Sequence, residues 1–199
     1  MNAVVDRMTP NVTTMIRMDH SHVFALFHRY KASASSNRKQ ALVRSACLAL
    51  QIHAQLEDEI FYPALRSVLS GDQVLEKSEP EHDEMRRLMS ELREQSAGDA
   101  SFDDKFMDLM STVIHHVADE ETRLLPAAER LLPGQLGSLG VRMTRRRMEL
   151  LKPHAGEIAA TTVRSFPAGT AVLAASAVAL GAMLLSRGRS KTASRRWTP

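Results

Sequence analysis

Two stretches of this chain repeat a spacing that can do metal chemistry. Glu57 follows His53 by four residues, and Glu120 follows His116 by four. Pro63 and Pro126 each follow their histidine by ten. Upstream stand two acid–histidine pairs, Asp19-His20 and Glu81-His82, each with an apolar residue three positions past the histidine, Val23 and Met85. The separations match too: 33 residues from His20 to His53, and 34 from His82 to His116.

On a helix, His and Glu at i and i+4 lie one turn apart on the same face. Two such pairs on facing helices, joined by one His from each of two others, gather four imidazoles and two carboxylates in a common interior. Mixed nitrogen and oxygen donors suit iron or manganese, and zinc less exclusively. Two Glu among four His suit a dinuclear site, with each carboxylate bridging and the imidazoles terminal. Buried carboxylates are costly unless paired or metal-bound. One His-x-x-x-Glu alone reads as a solvated surface pair. The duplicated set reads as a metal site made of His20, His53, Glu57, His82, His116 and Glu120, with no separate catalytic residue singled out.

The flanking acids Asp19, Asp58, Glu81 and Glu121 read first as solvent-facing or outer groups, able to orient a ligand imidazole through its other ring nitrogen. Glu59 and Asp119 read as solvated. His22 lies about 200° round a helix from His20, off the ligand face, and His28 is off it as well. His154 has no partner that the sequence names. Cys47, the sole cysteine, excludes an intramolecular disulfide and sits in an apolar run as a buried thiol.

The elements that must position these groups are long helices. Pro and Gly are sparse inside the first 130 residues, and apolar residues recur at helical spacing. The first helix is expected over residues 11–31, capped by Asn11 or Thr13, with Val12, Met15, Ile16, Val23, Phe24 and Phe27 inward. A loop over residues 32–37 leads to a second helix reaching residue 69, with Leu42, Cys47, Leu50, Leu56, Ile60 and Phe61 inward. Ser70-Gly71-Asp72 ends it. A third is centred on residues 80–96, with Met85, Leu88, Met89 and Leu92 inward. A fourth runs over residues 102–132. Pro63 and Pro126 predict a kink or break late in the second and fourth helices. The fold class is therefore all-α, an antiparallel up-down-up-down four-helix bundle. A short basic fifth helix over residues 136–151 and a linker to residue 166 follow.

This pattern resembles the hemerythrin-like, or HHE cation-binding, family over residues 12–132. The resemblance implies a bundle holding two iron ions, oxo- or hydroxo-bridged, that bind dioxygen. It implies that His20 and His53 serve one iron, His82 and His116 the other, and that Glu57 and Glu120 bridge. Two departures stand out. Oxygen-carrying hemerythrins place a fifth histidine one turn after the ligand of the third helix, and here that position is Arg86. One iron is then short of a nitrogen ligand, which favours sensing, redox chemistry or iron handling over reversible carriage. The carriers' spacing on the fourth helix would be met by His115 with Glu120, whereas the internal repeat favours His116.

Charge is divided unevenly. Residues 1–141 hold 15 Lys/Arg against 21 Asp/Glu, and residues 142–199 hold 11 against 2. A nucleic-acid partner is not expected from such a bundle. Residues 165–186 carry no charge, and residues 167–186 are read as a transmembrane anchor, followed by a basic tail over 187–199. The competing reading is an Ala-rich helix that packs on another protein. Ala171, Ala175 and Ala179 form a ridge of small residues on which two such helices could pair as a homodimer. Orientation stays open between the basic tail and the flank of Arg142, Arg145, Arg146, Arg147, Lys152 and Arg164, which could instead lie on anionic lipid. No secretory signal opens the chain, so the bundle is expected in the cytoplasm, anchored to a membrane by the C-terminal segment.

Four functions compete. The first is a di-iron protein binding dioxygen or a related small ligand such as nitric oxide, for sensing, storage or scavenging. The second is a di-iron enzyme acting on peroxide or nitric oxide, or repairing or delivering iron. The third is iron storage, against which stands the His-first order of the pairs. The fourth is a structural, membrane-anchored helical domain. Ligand binding is preferred over enzymatic turnover.

Overall fold

The computed structural model describes residues 9–156, and among these every regular element is helical. Helix α1 spans Val12–Arg29. Its N-terminus is fixed by Asn11, whose side chain accepts from the Thr14 N–H at 2.8 Å. Helix α2 spans Ser36–Leu56 and continues through a π-helical turn, Glu57–Phe61, into a last α-helical stretch, Tyr62–Arg66. Gly71, at φ 73°, turns the chain in a conformation that side chains disfavour. Helix α3 then spans Gln73–Glu94. Helix α4 spans Phe102–Asp119, passes through a second π turn, Glu120–Leu124, and ends with Leu125–Leu131. Helix α5 spans Leu136–Leu151.

Several expectations are corrected here. Helix α3 begins at Gln73, a full two turns before the expected start, because the Asp72 carboxylate caps Val74 and Leu75 at 2.9 and 3.2 Å. Pro80 is carried inside it. Neither Pro63 nor Pro126 breaks its helix. Each lies in the turn after a π bulge, where the backbone has already widened to accommodate the missing N–H and the ring. Phe24, expected inward, is 36% exposed.

Two apolar clusters fill the interior, and each of the four long helices contributes to both. On α1 the order is Val12, Met15 and Ile16 in one cluster, then Val23, Leu26 and Phe27 in the other. On α2 the order reverses: Leu42, Val43 and Leu50 precede Ile52 and Leu56. On α3, Val74 and Leu75 precede Met85 and Leu88, and on α4, Phe106 and Val113 precede Leu124. His20, His53, His82 and His116 all fall near the crossing from one cluster to the other. A polar layer is thus held between two apolar ones, which exclude water from it.

Helix α5 packs against α1 and the second helix. Its seat is tight at Gly140, where any Cβ would lie 2.3 Å from the Pro10 carbonyl oxygen. Leu139 and Met143 are buried beside it. No described helix is long and apolar enough to cross a membrane. The anchor expected over residues 167–186 and the basic tail over 187–199 lie outside the described residues.

Candidate metal centre

The structure brings His20, His53, Glu57, His82, His116 and Glu120 together in the polar layer. All six are buried, and both glutamates are wholly so. Glu57 and Glu120 each open a π turn. The Tyr62 N–H reaches back five residues to the Glu57 carbonyl, and the Leu125 N–H does the same to Glu120. A single wide turn of this kind adds a residue without ending the helix and re-aims the side chains that follow.

The imidazoles present their Nε2 atoms to the centre. His20 Nε2 lies 3.1 Å from Glu120 Oε2, and His53 Nε2 lies 3.1 Å from Glu57 Oε2. His82 Nε2 is 3.5 Å from Glu57 Oε2 and 3.1 Å from His116 Nε2, which is 3.5 Å from Glu120 Oε2. Two compact donor groups result, each able to surround one cation. One is His20, His53, Glu57 and Glu120; the other is Glu57, His82 and His116. Glu57 belongs to both.

Each Nδ1 faces outward to a carboxylate. His20 meets Glu121 at 2.8 Å, His82 meets Asp58 at 2.8 Å, and His116 meets Glu81 at 2.9 Å. Asp19 stands farther from His53, at 3.8 Å. Every one of these acids is in turn held by a base: Glu121 by Arg17 at 3.1 Å, Glu81 by Lys77 at 3.3 Å, Asp58 by Arg86, and Asp19 by Arg147. Carboxylates so placed favour the tautomer with the proton on Nδ1, leaving Nε2 as the inward donor.

Arg86 therefore does not enter the centre in place of a fifth histidine. It points outward to Asp58 and to Asp83, the latter at 2.8 Å. His116 is the inward member of the doublet, while His115 is exposed and contacts the Ser111 carbonyl at 2.8 Å. His22 and His28 are exposed on α1. Glu59, expected to be solvated, pairs with Arg146 at 2.7 Å, and Asp119 pairs with Lys77. Arg146 and Arg147 are thus turned to the bundle rather than left for lipid.

One residue the sequence reading missed is Tyr62, fully buried. Its hydroxyl donates to Glu120 Oε1 at 2.8 Å and lies 3.5 Å from His82 Nε2, with the two rings nearly parallel. The signal was faint. Tyr62 is five residues past Glu57, off the face that a 3.6-residue period predicts, and only the π turn brings it round. The matching position in the other half is Leu125, so the repeat is broken there and the centre is unsymmetrical.

Electrostatics separates the donors. Burial, reinforced by Glu120, pushes Glu57 well above the usual carboxylate range. Burial opposes ionisation of Glu120 too, but His116, His20 and His53 outweigh it and hold the group at about 2. Burial lowers His53 to about 4, leaving it neutral at physiological pH. For His20, burial is outweighed by Glu120 and Glu121, which raise it. Both nitrogens of His53 and both oxygens of Glu57 lack a hydrogen-bonding partner, since the 3.1 Å approach between them is not directed as a hydrogen bond. Dry polar atoms in that state are expensive, and a cation between them would satisfy all of them at once. The donor set and its orphaned atoms fit a metal.

Comparison with known proteins bears on the family and the fold. A DNA nickase of Nostoc sp. is 30% identical over 130 residues, which are 65% of this chain and 37% of the nickase; the matched part is little more than a third of that protein. A solved hemerythrin HHE cation-binding domain-containing protein from Mycobacterium kansasii shares the fold at 21% identity, with a TM-score of 0.63, over 78% of this chain and 99% of the other. The hemerythrin HHE cation binding domain matches residues 11–128, more than half the chain. With its interior His/Glu cluster and helical bundle, this chain belongs to the hemerythrin HHE cation-binding domain family.

Proposed function

We propose that residues 12–132 form an antiparallel up-down-up-down bundle holding two iron ions, and that this centre binds dioxygen or a related small ligand such as nitric oxide. The alternating order of the two apolar clusters along successive helices supports the topology. In this reading His20 and His53 serve one iron, His82 and His116 serve the other, and Glu57 and Glu120 bridge. The observation that carries it is the unpartnered state of His53 and Glu57 in a water-excluding layer. Bound iron supplies redox capacity and open coordination positions for a small ligand. The chain's own part is preorganisation. Asp58, Glu81 and Glu121 fix three imidazoles, Tyr62 hydrogen-bonds the Glu120 oxygen, and the apolar clusters keep bulk water away. Arg86 faces Asp58 and Asp83 outside the centre, so of His82 and Arg86 on the third helix only His82 is a donor to the second iron.

Iron-replete full-length protein should hold about two irons per chain and develop charge-transfer absorption on exposure to oxygen. Iron content near zero would sink the proposal. Sensing, storage or scavenging is preferred to turnover.

A second reading is enzymatic, through peroxide or nitric oxide, and Tyr62 favours it by setting a hydroxyl at one side of the centre. Turnover of either substrate that disappears in Glu57→Ala and Glu120→Ala would decide for it. DNA cleavage, the activity named for the Nostoc relative, is opposed by the acidic excess of residues 1–141. Nicking of supercoiled plasmid by the iron-loaded protein, abolished in His53→Ala, would reverse that judgement.

A further inference from the structure

Three of the four ligand imidazoles are gripped by their outer acids at 2.8–2.9 Å, and His53 is not. The acid that should grip it, Asp19, is instead taken by α5. Arg147 donates to Asp19 Oδ1 from Nη1 at 2.8 Å and to Oδ2 from Nη2, a two-pronged hold on both oxygens. The other three bases reach their acids from the four long helices themselves. Arg147 alone comes from outside that bundle. Its helix is locked by the Gly140 contact with Pro10 and by the two bonds from Arg146 to Glu59, at 2.7 and 3.0 Å. Glu59 lies in the π turn that Glu57 opens. Helix α5 therefore reaches the centre through Asp19 beside His53 and through Glu59 in the turn opened by Glu57.

We infer that Arg147 is a positioning residue that holds Asp19 away from His53, leaving that imidazole the least restrained of the four and its half-site the weaker for metal. The inference rests on the reading of His53 as an iron ligand. Arg86, Lys77 and Arg17 each hold one oxygen of their acid and leave the other to meet its imidazole, whereas the Arg147 fork takes both oxygens of Asp19, which then has none free to close on the ring. A carboxylate that does close on Nδ1 orients the imidazole and strengthens it as a donor. Helix α5 thus acts on one metal position through Asp19 and His53, and the two halves of a repeated site are made unequal.

The test uses full-length protein loaded anaerobically with ferrous iron, and follows iron release to bipyridine. Arg147→Gln frees Asp19 and should slow release from one half-site about fivefold, the worth of one added hydrogen bond. Asp19→Asn removes an acid that does not grip the ring and should change release less than about twofold. Arg147→Lys keeps the charge without the fork, should fall between wild type and Arg147→Gln, and carries the test should the Gln variant not fold. Arg142→Gln removes an exposed charge from the same helix and should leave release unchanged. A merely structural Arg147 would give faster release in Arg147→Gln and Asp19→Asn alike, and that result overturns the inference. A crystal structure of metal-free Arg147→Gln supplies an independent readout. The Asp19–His53 separation should contract to about 3 Å, and a separation still near the 3.8 Å of the wild type also overturns it. Wild-type protein that takes up no iron would defeat the metal reading instead, while the metal-free separation still decides whether Arg147 holds Asp19.

Discussion

At the scale of residues, the six interior donors were legible because the chain states them twice. The repeat also chose between His115 and His116 on spacing, and the structure turns His116 inward and leaves His115 on the surface. His115→Ala should therefore retain its full iron content, whereas His116→Ala should lose at least one iron per chain, as metal analysis of the purified variants will show. Tyr62 was not legible, because the sequence half that would have flagged it carries Leu125 instead. Its removal has a definite cost. Tyr62→Phe leaves Glu120 Oε1 without its donor in a buried layer, and metal-free protein should lose about 1–3 kcal/mol in urea unfolding. An unchanged midpoint would mean that water replaces the hydroxyl. Cys47 behaves as its apolar run suggested: it is buried, and burial pushes the thiol up to about 11, so it is a core group rather than a nucleophile.

Elements were legible where periodicity was long and failed where a local device overrode it. Helix α3 was expected around residues 80–96, yet the Asp72 cap starts the helix seven residues sooner. Asp72→Ala should cost about 1 kcal/mol, measured by chemical denaturation. The two π turns have a related origin. A proline four residues after a carbonyl denies it a donor, and the helix answers by widening just ahead of Pro63 and Pro126. The sequence shows the prolines and so signals a disturbance, but a kink, a break and a bulge share that signal, and only packing chooses among them. The basic fifth helix could be read as a helix but not assigned a role. Its arginines look like a lipid-facing cluster until the structure pairs Arg146 with Glu59 and Arg147 with Asp19. Gly140→Ala tests how firmly α5 is seated. Its new methyl meets backbone rather than a flexible side chain, so the protein should be destabilised by about 1–3 kcal/mol, read as a lowered melting temperature.

At the scale of the molecule, folding and metal binding are linked through protons. Metal-free, the folded chain keeps Glu57 above its ordinary value and His20 above its own. Both groups bind a proton more tightly folded than unfolded. Their contribution to stability is complete below their unfolded values, near 4.5 for Glu57 and 6.5 for His20. It is lost as pH rises through the higher folded values. Glu120 runs the other way: its contribution is present above about 4.5 and lost only as pH falls toward about 2. From about pH 7 to pH 8, above the range in which the lowered His53 adds stability with rising pH, the metal-free bundle should weaken at its centre, because Glu57 joins Glu120 as a carboxylate in a dry layer while His20 loses its charge. A metal displaces the protons on Glu57 and His20 and takes up that charge, and a ligand bound only by the folded state stabilises it. The rise in melting temperature on adding ferrous iron should accordingly grow across this interval and shrink toward its acid end. Calorimetry of the full-length protein with and without iron at several pH values measures it. A rise independent of pH would mean that the iron sits away from Glu57 and His20, on the surface rather than in the centre of the bundle.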